Sequence, residues 1–148
     1  MKITLREDAK SKPEVIIIYP KMDGTIKKLI KKIESLEVAF PVKNGEEQLL
    51  LNIDDIYYIE TLERKTFVYT KDGVYRIEKK YNVLCDELQN YDFAKISRSC
   101  LLNINVLKSI KTIHNSRLQG TLQNGEKINI SRTYMKHIRR VFDKEERG

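Results

Sequence analysis

The chain has 148 residues, enough for one principal hydrophobic core and too few for two full-sized domains. Hydrophobic residues make up 41% of it and charged residues 33%, a balance typical of a folded protein rather than a disordered one. The sequence has no apolar run approaching the ~18 residues that cross a bilayer, and its charged start lacks the apolar core of a signal peptide. We therefore expect a cytoplasmic protein.

Cysteines, histidines and paired acids give no reason to predict a metal site or an enzyme. Cys85 and Cys100 lie in different segments without a CxxC motif, so buried thiols in a reducing compartment are the simplest interpretation. His114 and His137 belong to no nucleophile, zinc-protease or phosphate-loop motif. The Asp54-Asp55 pair resembles a metal carboxylate pair, but adjacent acids at a strand entry are more often solvated or cap a helix. We expect no enzyme activity, metal or cofactor.

Charge is distributed unevenly along the chain, whose net charge is +7. Residues 43–92 carry 7 basic and 11 acidic side chains, whereas residues 93–142 carry 10 basic side chains and one acid, Glu126. A basic surface serves either solubility or the binding of a polyanion, and charge alone favours neither use. The choice between solubility and polyanion binding therefore depends on the residues in the turns of this basic last third.

The first predicted elements are two strands and a helix. Residues 2–7 and 14–19 are short β-branched runs separated by a polar stretch that contains Pro13, and they read as two strands joined by a loop. After Met22 the apolar residues recur at helical spacing, which predicts an amphipathic helix of about four turns. Its lysines either face solvent, the more common arrangement, or contact a phosphate backbone or a membrane surface.

Pro41 and the polar turn that follows it predict a boundary between an N-terminal β-β-α segment, residues 1–42, and a second domain, residues 43–148. The second domain is predicted to be mainly β. Its strands are expected at residues 47–52, 56–60, 66–70, 74–78, 93–96, 107–113, 118–122 and 127–130. Helical spacing predicts two helices, over residues 81–88 and 132–142. The fold class is therefore α+β, mainly β with a few helices.

Turn and capping residues support this order of elements. Lys71-Asp72-Gly73 predicts a hairpin turn between two strands. Asn124-Gly125 is a strong signal for a type I′ hairpin between the last two strands. Ser131 precedes the last helix and is a favourable N-cap residue. Residues suited to turns and helix caps therefore lie between the predicted elements.

Three polar turns are candidate binding sites. In Ser97-Arg98-Ser99 an arginine suited to a guanine edge or a phosphate lies between two hydroxyls, although a serine-capped turn with an exposed arginine is also a common structural arrangement. Arg132 lies in the predicted first turn of the last helix, where a cation opposes the helix dipole and an anionic ligand would reverse that cost. The six-residue link Thr61–Thr66 has a basic pair at its centre, and both binding and simple solvation remain open for it.

Three phrases of the sequence carry a family resemblance. They are IDDIYYIE at residues 53–60, FAKISRSCLLN at residues 93–103 and GEKINISRTY at residues 125–134. In this order and spacing they resemble the LytTR DNA-binding domain of bacterial response regulators. The resemblance covers about residues 43–142, or two thirds of the chain.

The resemblance implies an elongated stack of mostly antiparallel sheets, whose loops enter successive major grooves on one side of a DNA duplex. It implies a bacterial transcription regulator whose partner is double-stranded DNA, bound by two copies of the chain at repeated half-sites. Carried onto this sequence, the DNA-binding candidates are Glu63, Arg64, Lys65, Thr66, Ser97, Arg98, Ser99, Asn115, Ser131, Arg132 and Tyr134. They fall in the three candidate turns, apart from Asn115 and Tyr134.

The chain departs from well-known members of the family in one respect. Its N-terminal segment of about 42 residues cannot hold the phospho-receiver domain that those members carry. The N-terminal segment instead resembles that of stand-alone LytTR regulators, which implies control by expression level or by a neighbouring-gene membrane protein that restrains the chain. Two other functions compete with duplex binding: an RNA-binding module and an interaction domain for an acidic protein. RNA is disfavoured because the basic third contains three aromatic residues, Phe93, Tyr134 and Phe142, too few for a clear stacking platform.

Overall fold

A computed structural model describes the backbone of residues 1–147 and the side chains of residues 1–143; Gly148, the end of the predicted second domain, lies outside the described residues. Within that range the helices are α1 (Gly24–Ser35), α2 (Tyr81–Leu88) and α3 (Met135–Arg147). The strands are β1 (Ala39–Asn44), β2 (Glu47–Asn52), β3 (Ile56–Leu62), β4 (Lys65–Thr70), β5 (Val74–Ile77), β6 (Phe93–Ser97), β7 (Cys100–Asn103), β8 (Leu107–Ile113), β9 (Arg117–Leu122) and β10 (Lys127–Ile130).

The strands form two antiparallel sheets. The larger sheet has the order β2-β1-β5-β4-β3-β7-β6, and the smaller one has the order β10-β9-β8. All paired neighbours run antiparallel, which confirms the predicted fold class of mostly antiparallel sheets with a few helices. Each of the eight strands predicted in the second domain is present, and so are both of its helices.

Two hydrophobic clusters hold these layers together. One cluster lies between a face of the larger sheet and α2, whose Leu84 and Leu88 are fully buried. The other lies between the opposite face, the smaller sheet and α3, and includes Ile138 of α3. Because side chains alternate along a strand, neighbouring residues of β7 serve different clusters, Leu101 the first and Leu102 the second. The larger sheet is therefore the shared middle layer.

The N-terminal segment differs from its prediction. Residues 2–7 and 14–19 form no strands, because neither run has a hydrogen-bonded neighbouring strand within the described chain. Helix α1 does form, and it is tied to the larger sheet by Ser35, whose hydroxyl donates to Asp54 Oδ2 over 2.9 Å. Lys32 adds an ion pair to the same carboxylate over 3.1 Å. Asp54 is therefore an anchor for α1, not a helix cap or a freely solvated acid.

Strand β1 is absent from the sequence prediction because Pro41 lies within it. Proline cannot donate to a ladder, so its presence suggested a boundary. The structure tolerates it because β1 pairs along its length with β2 but meets β5 at a single pair, Lys43 with Arg76. Phe40 and Val42 of this strand are buried in the first cluster. The division into residues 1–42 and 43–148 stays a prediction.

Of the two turns predicted from sequences that contain glycine, one is confirmed and the other has a different geometry. The turn at Lys71-Asp72-Gly73 is confirmed, with Thr70 N donating to Gly73 O over 2.9 Å. The type I′ turn predicted at Asn124-Gly125 is wrong, because Gly125 has a positive φ of 88° and Asn124 does not. The loop instead has three residues and a bulge at Gly125, since Leu122 N donates to Glu126 O over 2.8 Å.

Asn103 is a buried polar residue at the end of β7, and we expect its loss to destabilise the fold. Its side chain is 2% exposed, donates from Nδ2 to Ile56 O over 2.8 Å and accepts from Asn105 N over 3.0 Å. Asn103→Ala leaves both backbone groups without these partners, and we expect the free energy of unfolding to fall by about 1 to 3 kcal/mol. Urea unfolding measures this change. Asn105→Ala, at an exposed position that uses only its backbone, is the matched control, and equal losses in both variants would contradict the assignment.

Candidate nucleic-acid interface

The turn between β3 and β4 is shorter than predicted. Strand pairing continues to Leu62 and Lys65, so Glu63 and Arg64 alone form the turn, and the six-residue link expected from the sequence is wrong. Both residues have positive φ angles, 52° and 67°, as a type I′ turn requires. Glu63, Arg64 and Lys65 are exposed, whereas Thr66 is 5% exposed and lies within the sheet. Three of the four predicted residues can therefore reach a ligand.

Left-handed backbone at residues other than glycine is concentrated in two turns. Among the described residues, five such residues have positive φ, and four of them are Glu63, Arg64, Asn115 and Ser116. A type I′ turn usually places Asn or Gly at these positions, because other side chains strain the backbone there. Strain of this kind is common at functional sites. We interpret Glu63 and Arg64 as residues present for their side chains.

The turn between β6 and β7 presents a single arginine. Ser97 pairs with Cys100, which leaves Arg98 and Ser99 as the turn residues. Ser99 N donates to Ser97 Oγ over 3.3 Å, so the first serine is used to shape the turn. Both serines are partly buried, while Arg98 is exposed. The hydroxyl of Ser97 therefore shapes the turn, while the exposed guanidinium of Arg98 is available to a ligand. The structural and binding interpretations of this segment are thus compatible.

The start of the last helix is built differently from its prediction. Ser131 occupies the N-cap position but its side chain makes no capping hydrogen bond. Its backbone N–H instead donates to Ile96 O over 2.8 Å, because a neighbouring strand end offers a free carbonyl. A 3-10 turn, Arg132–Tyr134, then leads into α3. Tyr134 is partly buried and packs against the second hydrophobic cluster, so its ring supports the core.

Arg132 is exposed and held in place by the turn between β8 and β9. Its Nη2 donates to the backbone oxygen of Asn115 over 2.9 Å. A guanidinium has five N–H donors, and this contact uses one of its nitrogens. Asn115 is itself exposed and has a φ of 64°. The sequence contained no signal that these two residues meet, since 17 positions separate them.

Hydrogen bonds bring these turns together along one edge of the molecule. Thr61 N donates to Ser99 O over 2.9 Å, which joins the β3–β4 hairpin to the β6–β7 turn. The bond from Ser131 to Ile96 joins the β6–β7 turn to the start of the last helix. The bond from Arg132 to Asn115 adds the β8–β9 turn. We call the exposed candidate residues of these four segments the turn face: Glu63, Arg64, Lys65, Arg98, Asn115, Ser131 and Arg132.

The cations of the turn face are not neutralised by the ion pairs found in the described residues. Those pairs are Lys31 with Asp92, Lys32 with Asp54, Lys43 with Glu78 and Lys79 with Glu87. The one acid of the basic third, Glu126, accepts from Tyr58 Oη over 2.7 Å in the loop at the other end of β9. Burial, followed by this hydrogen bond, raises the pKa of Tyr58. The turn face therefore keeps a positive field.

The fold matches that of a solved structure described as the LytTr DNA-binding domain of a "putative methyl-accepting/DNA response regulator" from Bacillus cereus. The TM-score is 0.65, and the match covers 71% of this chain and 96% of that one. At 20% sequence identity the likeness shows the fold alone. The molecule thus has the architecture of a LytTr-type β domain. Among the described residues, no helix is both long and apolar enough to cross a membrane.

The family model of the LytTr DNA-binding domain matches residues 46–143, and this chain belongs to that family. A similar protein is the sensory transduction protein LytT of Bacillus cereus, 28% identical over 139 residues, which are 94% of this chain and 54% of the relative. Another is the transcriptional regulatory protein YpdB of Escherichia coli K12, 29% identical over 98 residues, which are 66% of this chain and 40% of the relative. The chain spans about half the length of such relatives.

Replacing Arg64 by glycine tests whether the turn is strained. We expect Arg64→Gly to raise the free energy of unfolding by about 1 kcal/mol, because glycine adopts a positive φ without steric cost. Urea unfolding measures the change. Lys65→Gly is the matched control, since Lys65 begins strand β4 and glycine there should lower stability by about 0.5 to 1 kcal/mol. A loss of stability in both variants would show that Arg64 is not strained.

Cys100, directly after the Arg98-Ser99 turn, should be unreactive in the folded protein. Burial raises the pKa of its thiol from 9.0 to about 12. The folded state therefore favours the protonated thiol, and this contribution to stability is present below pH 9.0 and lost as the pH rises through about 12. In Cys85→Ser, which leaves Cys100 as the single thiol, we expect a disulfide reagent at neutral pH to label the protein only after unfolding. Rapid labelling of the native variant would contradict this.

Proposed function

We propose that the protein binds double-stranded DNA in a sequence-specific manner through the turn face and thereby regulates transcription. The observation that carries the proposal is the alignment of three exposed arginines, Arg64, Arg98 and Arg132, on turns joined by hydrogen bonds. Membership of a DNA-binding family supports the same conclusion. Turns that project from a rigid sheet suit a DNA groove because they can place their side chains in the groove while the sheet stays outside it.

The three arginines suit different tasks on a duplex. An arginine on a tight turn reaches guanine O6 and N7 with both of its donor groups, which is the commonest specific contact in the major groove. Arg132 combines such a fork with the start of a helix, where backbone N–H groups attract a phosphate. Its bond to Asn115 holds the guanidinium in one position before binding, which lowers the entropic cost of ordering it. Arg98 is proposed to contact the base edge of a neighbouring base pair.

Single-stranded RNA is a poorer fit for the same surface. RNA recognition depends on aromatic rings that stack on exposed bases. Of the three aromatic residues in the basic third, Phe93 and Phe142 are buried and Tyr134 packs against the core. The turn face therefore offers cations and polar groups without a stacking platform, which favours a duplex.

Further parts of the proposal concern assembly and control. We propose that two copies bind repeated half-sites, because one turn face covers only a short stretch of duplex. Control by a neighbouring-gene membrane protein, in place of phosphorylation of a receiver domain, remains a prediction from the family resemblance. The relatives that are named as sensory transduction and transcriptional regulatory proteins support a role in signalling to DNA.

Selection of bound duplexes from a random pool is the experiment that tests the function. We expect recovery of a repeated motif whose half-sites lie about one helical turn apart. Competition with single-stranded RNA and with an acidic polypeptide then compares the alternatives. Recovery of no motif, or equal displacement of duplex by either competitor, would rule out sequence-specific duplex binding.

Arg98→Ala and Arg132→Ala should each weaken binding to the selected duplex. We expect a loss of about 1 to 3 kcal/mol of binding free energy for each, with relaxed sequence preference at one position and unchanged thermal stability. Fluorescence anisotropy at fixed salt measures the affinity. Lys71→Ala is the control, because it removes one positive charge from an exposed residue that follows the end of β4, whereas the turn face lies at the start of that strand. Equal effects of all three changes would indicate a general charge effect and contradict the site.

A further inference from the structure

The first 22 residues carry most of the large hydrophobic side chains that are exposed among the described residues. Of the thirteen large hydrophobic side chains that are exposed among the described residues, eight lie in this part of the chain. They are Met1, Ile3, Leu5, Val15, Ile16, Ile18, Tyr19 and Met22. Neither hydrophobic cluster of the fold includes any of them. Large hydrophobic side chains that are exposed and concentrated in one segment of a folded protein indicate an interaction surface.

The backbone of the same segment is prepared for strand pairing. Residues 2–7 and 14–19 contain β-branched side chains that favour strands, yet they lie outside every helix and strand of the described chain and have no ladder partner there. The turn between them is already formed, since Ser11 N donates to Asp8 O over 3.1 Å and Lys10 N donates to Asp8 Oδ1 over 3.1 Å. Segments of strand-forming composition whose backbone groups have no ladder partner can pair with a strand of another chain. Both the side chains and the backbone therefore require a partner.

The charge of the segment selects the kind of partner. Residues 1–23 contain five basic and four acidic side chains, so they are close to neutral in a protein whose net charge is +7. A strongly acidic or basic partner would find little to complement there. A second copy of the chain brings an equally neutral segment, and the uncharged run Val15–Tyr19 can face its own copy in antiparallel orientation without opposing like charges.

The position of the segment keeps the turn face free. Met1 lines a cavity together with Leu29 of α1 and Asn105. Asn105 follows the end of β7, whereas the Arg98-Ser99 turn precedes its start, so the N-terminus lies at the opposite end of this strand from the turn face. A contact between copies made there would leave the turn face of each copy open to a ligand.

We infer that residues 2–19 are a dimerisation element, which pairs with the same residues of a second copy to form an intermolecular antiparallel sheet in the absence of DNA. The dimer buries the apolar side chains of both copies and satisfies the unpaired backbone groups of both. The inference concerns the free protein, and it does not depend on what the turn face binds.

Sedimentation velocity of the full chain without DNA, over a concentration series, tests the inference. We expect a concentration-dependent species of twice the chain mass. Hydrogen exchange of the same samples should show protection of the backbone amides of residues 14–19 that increases with the dimer fraction. A chain that is monomeric throughout would overturn the inference, and so would a dimer whose amides in this run exchange freely.

A charged substitution separates this contact from other apolar surfaces. Ile16→Lys should raise the dimer dissociation constant at least about tenfold while thermal unfolding stays unchanged, because the side chain is 73% exposed in the single chain. Leu50→Lys is the matched control, since Leu50 is also 73% exposed but lies on the edge strand β2. A dimer that survives Ile16→Lys, or one lost in Leu50→Lys, would overturn the assignment. Duplex binding by each variant is measured separately, so that failure of the dimer and failure of DNA recognition remain distinguishable.

Discussion

The pairing of β3 with β7 is the contact on which the arrangement of the turn face depends. These strands are far apart in the sequence, and they meet one strand in from the β6 edge of the larger sheet, where Glu60 pairs with Cys100. The pairing sets the β3–β4 hairpin beside the β6–β7 turn, and the bond from Thr61 to Ser99 fixes their spacing. Hydrophobic clusters on both faces of the sheet stabilise this pairing, because a slip of one residue would exchange the side chains that β3 and β7 present to the two clusters.

Electrostatics follow from the same architecture. Four acidic residues in the first part of the chain pair with lysines of α1, β1 and the segment before α2. Glu126, the single acid of the basic third, is bonded to Tyr58 at the end of β9 away from the turn face. The turn face therefore carries four cations against one acid, Glu63, and its arginines join none of the ion pairs found in the described residues, which is an arrangement that attracts a phosphate backbone.

Much of the second domain could be predicted from local patterns. The strand at Glu47–Asn52 and the helix at Tyr81–Leu88 have the predicted bounds, because alternation and helical spacing are properties of short windows. Strand β1 could not be predicted, since only its one-sided pairing makes Pro41 acceptable. The runs at residues 2–7 and 14–19 have strand-forming composition, but a strand requires a partner, and composition does not supply one.

The candidate site, too, was predicted in part from the sequence and decided in part by the tertiary structure. The sequence by itself determined which arginines lie in turns and that the last third is basic, because charge and turn propensity are carried by individual residues. Only the tertiary structure decided that Thr66 is buried, that Ser131 bonds through its backbone, and that Arg132 rests on Asn115. Those outcomes depend on which strands become neighbours across long stretches of chain, and that choice is made by the packing of the whole core.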